Sequence, residues 1–288
     1  MPTTFSVKHQ HIGIIGCGWL GLPLAQQLVA SGHSVTGTAR KQSKLAILDQ
    51  YGFDAVPLEL GNLQPQSIQK LKTCNTWVLN IPPGRRTLNP EQFITQMQAL
   101  ITHAKDCSLE HLIFVSTTSV YGEQEGTISE DSEIQPRTPS AKAHCKIEQF
   151  LRANMSANSS ILRLAGLVDN NRHPVRLLAN KKAISGANQA VNLIHKQDVC
   201  NAIERLICLG PQSTRLHLSA PQHPTRKNYY QWAAKQLGLV KPEFELELDK
   251  TIRGKQIDAT HTLATLGLCL QYSSPYQMLS PVDHPNNE

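Results

Sequence analysis

The 288-residue sequence predicts an α/β fold: a doubly wound parallel sheet followed by a smaller C-terminal lobe. Three observations carry this expectation. Short apolar runs alternate with helix-period segments over roughly the first 165 residues, the pattern of strands joined by crossover helices. The first run, Ile12–Ile15, ends in Gly16-Cys17-Gly18-Trp19-Leu20-Gly21 and passes at once into an apolar helix pattern. After Leu164 the alternation loses its regularity, which marks a second region.

Strands are expected at Ile12–Ile15, Ser34–Thr38, Ala55–Leu60, Thr76–Ile81, His111–Ser116 and Ser160–Leu164, each a short run rich in apolar or β-branched residues. Helices are expected at about Trp19–Ser31, Ser43–Tyr51, Gln66–Leu71, Pro90–His103 and Ser140–Ala153. Leu20, Leu24 and Leu28 recur every fourth residue and share a face, and Gly32 is placed to stop that helix. Asn89-Pro90 reads as an N-cap followed by proline at the first helical position. The region from 166 to 288 reads as mainly a substrate-covering lobe, with some segments returning to the sheet. It holds a loop at Val168–Pro174, a strand at Val191–Ile194, a helix at Gln197–Leu209, a strand at Leu216–Ser219 and a helix at about Lys227–Leu237. Phe244, Leu246 and Leu248 alternate with glutamates and predict a half-exposed strand, and Ser280–Glu288 reads as a tail.

The net charge of +6 comes from scattered basic residues, with short pairs such as Arg85-Arg86 and Lys181-Lys182. That distribution suits a small anionic ligand and argues against nucleic acid, which needs a basic stripe. Seven cysteines without a C-x-x-C pair argue against disulfides and a zinc site, and suit a reducing cytoplasm. Met1–Gln10 lacks the apolar stretch of a signal peptide, and no run approaches the ~20 residues of a membrane span.

G-x-G-x-x-G between a strand and a helix is the dinucleotide-binding pattern. Gly16 makes the turn, Gly18 lets a pyrophosphate approach the backbone, and Gly21 lets the helix pack closely on the strand. The helix N-terminus supplies N–H groups and a positive dipole end. An acid about 20 residues further on would hold the ribose 2′-hydroxyl of NAD. Ala39 stands at that place, followed by Arg40 and Lys41. A missing acid and two cations favour a 2′-phosphate, so NADP(H) is expected over NAD.

Phe114-Val115-Ser116-Thr117-Thr118-Ser119-Val120-Tyr121-Gly122 resembles the S-S/T-x-x-V-Y-G segment of extended short-chain dehydrogenase/reductases, the NAD(P)-dependent epimerase and dehydratase family. Ile161–Leu167 resembles that family's sixth strand and the turn beside the nicotinamide. Val191–Val199 resembles its N-x-I-H-x-x-D-V segment, and the glycine motif resembles that of an atypical bacterial branch, the YeeZ-type proteins. The resemblance runs from about Ile12 to Tyr272 and implies a Rossmann-like sheet. It also implies cofactor contacts at Gly16, Cys17, Gly18, Trp19, Leu20, Gly21, Arg40, Lys41, Glu59, Leu60, Ile81 and Pro82, and association as a homodimer.

The family's catalytic set is Ser/Thr, Tyr and Lys. Thr117 matches the first. Taking Glu148 as the acid that follows the lysine by four residues puts Ser140 at the Tyr position and His144 at the Lys position. Ser140, His144 and Glu148 then share one helical face. A register shifted by two would pair Thr138 with Lys142 instead. Serine is not an acid/base near neutral pH, whereas histidine titrates there. His144 is therefore open to three readings: acid/base, ribose-holding donor, or polar helix residue. Arg163, Arg172, His173 and Arg176 are candidates to hold an anionic substrate such as a sugar-nucleotide diphosphate, with solvated loop charges as the alternative. His195 and Tyr121 read as packing or structural residues. Two functions follow: an NADP(H)-dependent oxidoreductase or epimerase on a sugar-like hydroxyl or carbonyl compound, or a non-catalytic NADP(H)-binding sensor.

Overall fold

The computed structural model describes residues 9–83, 89–107, 109–249 and 251–279. The Arg85-Arg86 pair, the tail from Ser280 and most of the Met1–Gln10 segment lie outside these residues. The chain divides into two compact units. One comprises Met1–Val120, Pro136–Arg163 and Cys200–Leu216, and the other Tyr121–Gln135, Leu164–Val199 and His217–Glu288.

The first unit is built from β1 (His11–Ile15), α1 (Gly21–Ala30), β2 (Ser34–Ala39), α2 (Gln42–Gln50), β3 (Asp54–Pro57), α3 (Pro65–Leu71), β4 (Thr76–Leu79), α4 (Pro90–Asp106) and β5 (His111–Thr117). After the short strand β6 (Gly126–Ile128) come α5 (Pro139–Met155) and β7 (Ser159–Leu164). The remaining elements are β8 (Gly166–Val168), α6 (Val175–Leu178), β9 (Leu193–His195), α7 (Lys196–Leu209), β10 (Arg215–Leu218), α8 (Arg226–Gln236), β11 (Lys255–Ile257) and α9 (Thr260–Leu266). Seven strands form one sheet in the order β3-β2-β1-β4-β5-β7-β10. The pairs β1–β2, β1–β4, β2–β3 and β4–β5 are parallel. The order reverses between β1 and β4, so the turn after β1 opens at a topological switch point, where α/β sheets hold ligands.

Local chemistry fixes the helix ends as the sequence predicts. Gly32, at φ 87°, closes α1: its N–H donates to Val29 and the N–H of His33 to Leu28, each at 3.0 Å. Asn89 caps α4 by accepting from the N–H groups of Glu91 and Gln92, with Pro90 at the first position. Leu20, Leu24 and Leu28 are all buried. Trp77, Leu79, Leu112 and Phe114 of the sheet pack in one cluster with Ile68 and Leu71 of α3, Phe93, Met97 and Leu100 of α4, and Ile147 and Leu151 of α5. The fully buried Trp77 indole donates to the Leu71 carbonyl at 3.0 Å, so its polar atom is satisfied.

Two expected strands are shorter than predicted. Proline at 57 ends β3, and β4 stops at Leu79. A third, Phe244–Leu248, is absent. Phe244 makes only an isolated bridge to Ile184, while Leu246 and Leu248 are 83% and 93% exposed. Glu247 faces inward instead, where its carboxylate accepts from the N–H of Ala187 at 2.8 Å and of Asn188 at 3.2 Å. The second unit also carries two parallel pairs, β8–β9 and β6–β11. Its core joins Val168, Val175, Val191 and Leu193 to Tyr229, Tyr230 and Ala233 of α8, with Met278 and Leu279.

Candidate functional site

The turn after β1 has the geometry its glycines imply. Gly16 sits at φ 100°, a conformation L residues rarely adopt, and a Cβ there would lie 2.6 Å from the Asn80 carbonyl oxygen. A Cβ on Gly21 would run into the Gly16 carbonyl and stand 3.2 Å from Ile14. Gly18 is exposed, and nothing lies within 4 Å of the place its Cβ would take. The turn is tied to β2: the Gly16 N–H donates to Thr38 Oγ1 and the Cys17 N–H to the Thr38 carbonyl, both at 2.9 Å. Cys17 and Leu20 point into the core, so these two could meet a cofactor only through backbone, whereas Trp19 is half-buried. Burial pushes the Cys17 thiol up to about 12, which leaves it protonated. α1 has no acidic residue in its first turn and no side-chain cap, so no carboxylate competes for its positive end.

β2 ends at Ala39, the position expected for the NAD-selecting acid. Arg40 and Lys41 follow, both exposed, and neither side chain has a hydrogen-bond or ion-pair partner among the described residues. With β3 ending at Pro57, Glu59 and Leu60 lie on a loop: Glu59 is exposed, and Leu60 leans on the core beside α3. Ile81 and Pro82 follow β4, with Ile81 against the glycine turn. Sequence reasoning missed Asn80, whose Nδ2 donates to the Gly16 carbonyl at 3.3 Å and whose N–H donates to Ile15 at 2.9 Å. A lone polar residue closing the apolar run Thr76–Leu79 was the available signal.

Thr117 ends β5 and is partly exposed. Its Oγ1 donates to Ser119 Oγ at 3.0 Å and accepts from the Ser119 N–H at 3.1 Å, so two hydroxyls stand together at the strand end. Thr138 is the N-cap of α5, in extended conformation, its hydroxyl accepting from the Ala141 N–H. It stands one turn before Lys142, whose N–H donates to the Thr138 carbonyl at 3.0 Å. Ser140 is half-buried in the first turn, and His144 and Glu148 follow on its face, both buried. His144 stacks on Phe114 with ring centroids 5.5 Å apart, and its Nδ1 lies 3.4 Å from Ser116 Oγ. Burial pushes its imidazole down to about 4, although Glu148 acts in the opposite direction. Ser116 donates to Glu148 Oε1 at 2.6 Å.

Arg163 is not available to a substrate. It is fully buried on β7, donating from Nε to Glu148 Oε1 at 3.0 Å and from a terminal nitrogen to Oε2 at 2.5 Å. This corrects the expectation that it holds an anion: a buried guanidinium needs a paired carboxylate, and Glu148 supplies it. His173 is a second correction. Only 4% exposed, its Nδ1 accepts from the Val175 N–H and its Nε2 donates to the Tyr229 hydroxyl at 2.8 Å. Burial pushes this imidazole, too, down to about 4. Arg172 and Arg176 are exposed around the same loop. That loop is shaped by Asp169, which accepts from the N–H groups of Asn171 and Arg172 and pairs with Lys196 at 2.5 Å. His195 accepts from the Gln197 N–H at the start of α7 and lies against Tyr272, ring centroids 3.8 Å apart and planes tilted by 38°. Tyr121 is fully buried, its hydroxyl 3.0 Å from His217 Nδ1. Among the described residues there is no cluster placed to hold a metal, and no helix long and apolar enough to cross a membrane.

A family model described as NAD(P)H-binding matches residues 16–207. Protein YeeZ of Escherichia coli strain K12 is 34% identical over 273 residues, covering 93% of this chain and 98% of YeeZ. Among solved structures, MoeE5 in complex with UDP-glucose and NAD superposes with a TM-score of 0.77 at 19% identity, over 94% of this chain and 97% of MoeE5. UDP-glucuronic acid 4-epimerase from Bacillus cereus in complex with NAD gives 0.76 at 17% identity, over 94% of this chain and 96% of that one.

Proposed function

We propose that the chain, which belongs to the NAD(P)H-binding family and is a relative of protein YeeZ, is an NADP(H)-dependent oxidoreductase or epimerase-like protein of the atypical extended short-chain dehydrogenase/reductase class, acting on a sugar-like hydroxyl or carbonyl compound. The carrying observation is the glycine turn at the switch point, with an uncapped helix end on one side and Arg40 on the other, where β2 ends without an acid. Gly18 and the α1 N-terminus would hold the pyrophosphate, and Arg40 and Lys41 the 2′-phosphate. Glu59, Leu60, Ile81 and Pro82 would border the adenosine and nicotinamide ends.

The nicotinamide, when bound, accepts or supplies hydride. Thr117 hydrogen-bonds the reacting oxygen of the substrate, with a nucleotide sugar as the class. Seven unbridged cysteines fit a cytoplasmic setting, and a homodimer is the expected assembly. One observation favours the second reading, a sensor that binds cofactor without turnover: burial holds His144 at about 4, and serine does not titrate near neutral pH, so neither is a titrating acid there. Fluorescence titration with NADPH and NADH, followed by turnover assays with UDP-glucose and UDP-glucuronate, tests both. Tighter NADPH binding with turnover supports the enzyme, and tight binding without turnover supports the sensor. Tighter NADH binding overturns the cofactor assignment.

A further inference from the structure

The hydrogen bonds around Glu148 determine which nitrogen of His144 carries its proton. Arg163 donates to both Glu148 oxygens, and a carboxylate so engaged can only accept. Ser116 gives its single hydroxyl proton to Glu148 Oε1 at 2.6 Å. Its oxygen, 3.4 Å from His144 Nδ1, is then left with lone pairs alone. A bare Nδ1 would set two lone pairs against each other, so Nδ1 bears the hydrogen and donates to Ser116. Nε2 is consequently unprotonated. The stack on Phe114 holds the ring plane. Nε2 has no partner among the described residues, and the residue keeps 6% of its surface exposed. The charged groups facing this ring are Glu148 on its own helix and Arg163 on β7, which pair with each other.

We infer that His144 Nε2 accepts a hydrogen bond from a hydroxyl of a bound ligand, reversing the polarity of the donor that a lysine would place there. The inference rests on the cofactor reading above for the site, but the tautomer itself does not. A ring with a vicinal diol, the cofactor's ribose or a substrate sugar, supplies the matching donor. A neutral acceptor also selects against a carbonyl or phosphate oxygen at that point, which would face a lone pair.

The test is ¹⁵N NMR of the full chain labelled at histidine, at pH 7, with His144 assigned by the loss of its signals in His144→Gln. The free protein is expected to show a protonated Nδ1 and a pyridine-type Nε2, and a protonated Nε2 or an imidazolium overturns the inference. Ser116→Ala should release the tautomer into a mixture, and Ser116→Thr should restore it. NADPH is then added, and UDP-glucose after it. Movement of Nε2 with NADPH assigns the hydroxyl to the cofactor, and movement only with UDP-glucose assigns it to the sugar. An Nε2 signal unmoved by both overturns the acceptor role. His144→Gln, which keeps an acceptor oxygen, should hold affinity for the active probe within about threefold, while His144→Lys should lose about tenfold, the scale of one net hydrogen bond. Equal or tighter binding by the lysine variant counts against the inference. Should fluorescence show no NADPH binding, the cofactor reading fails separately, while the free-protein spectrum and the UDP-glucose arm still decide this one.

Discussion

Arg163→Met breaks the most deeply buried ion pair among the described residues of the first unit. Arg163 is 0% exposed and Glu148 3%, and methionine leaves that carboxylate in the core with only Ser116 for company. Removing one partner of a buried pair typically costs about 3–5 kcal/mol, because the remaining charge stays desolvated. For a chain of this size each kcal/mol moves the unfolding midpoint by roughly 2–4 °C, so the variant should melt roughly 6–20 °C below the parent. Arg163→Met with Glu148→Leu removes both charges, and the uncompensated burial goes with them. Its remaining deficit is hydrogen bonds to neutral groups, the Ser116 bond among them, about 1 kcal/mol each, so it should recover most of the loss seen in the single variant. Calorimetry of the three proteins at pH 7.5 checks this. A double variant as unstable as the single one would show that Arg163 matters through shape and not charge, and the reasoning about Glu148 would fall with it.

The other outcomes concern the cofactor turn and pH. Arg40→Ala should weaken NADPH binding about tenfold or more and leave NADH nearly unchanged, since the lost fork–phosphate contact exists in only one of them; equal losses in parallel titrations would refute the assignment. Gly18→Ala should fold with an unchanged melting temperature, because its Cβ meets nothing within 4 Å, yet bind NADPH weakly, because the methyl occupies the pyrophosphate approach. Gly21→Ala should lose both, since its Cβ meets the Gly16 backbone; identical behaviour of the two variants would argue against the proposed approach. Burial holds His111, His144 and His173 down at about 4, below the unfolded value of 6.5. Their folded forms therefore bind fewer protons than the unfolded chain between those values. Stability should be full above about pH 6.5 and fall as pH drops towards 4, read as a declining melting temperature; a flat profile across that window would contradict the burial of these rings.

The sequence made the sheet legible because its signals are local. Gly16-x-Gly18-x-x-Gly21 between an apolar strand and an apolar helix, Gly32 after it, and Asn89-Pro90 each act within a few residues of themselves. The misreadings came where distant partners decide. Pro57 cut short a run whose apolar pattern continued to Leu60. Glu247 turned inward because the N–H groups of Ala187 and Asn188 needed an acceptor, and that pushed Leu246 and Leu248 outward against their pattern. Arg163 and His173 looked like ligand-binding groups by type alone. Their buried partners, Glu148 and Tyr229, lie 15 and 56 residues away, and no local rule reveals such a pairing. Asn80 was overlooked for the same reason: its value lies in the Gly16 carbonyl, 64 residues back.

The two halves of the candidate site differ in how they are built, and this bears on what the protein can do. The cofactor half is made largely of backbone: a positive φ at Gly16, a close approach at Gly21 and the free end of α1. Side-chain replacement elsewhere hardly disturbs such a cradle, and here it is intact. On the function proposed above, the proton-handling half would depend on two side chains of α5, Ser140 and His144, and on their neighbours. His144 is not simply a weaker lysine. With its proton turned towards Ser116 and its charge suppressed by burial, it presents the opposite hydrogen-bonding polarity. Any proton transferred at neutral pH must then travel by another route. Thr117 and Ser119 are the polar side chains at the end of β5 that could relay it, through paired hydroxyls rather than a titrating group. A relay of that kind works only when the substrate or solvent supplies the acid, so binding should outlast turnover across substrates. For this reason affinity and turnover need to be measured separately: a cofactor cradle in good order carries no information about the chemistry done beside it.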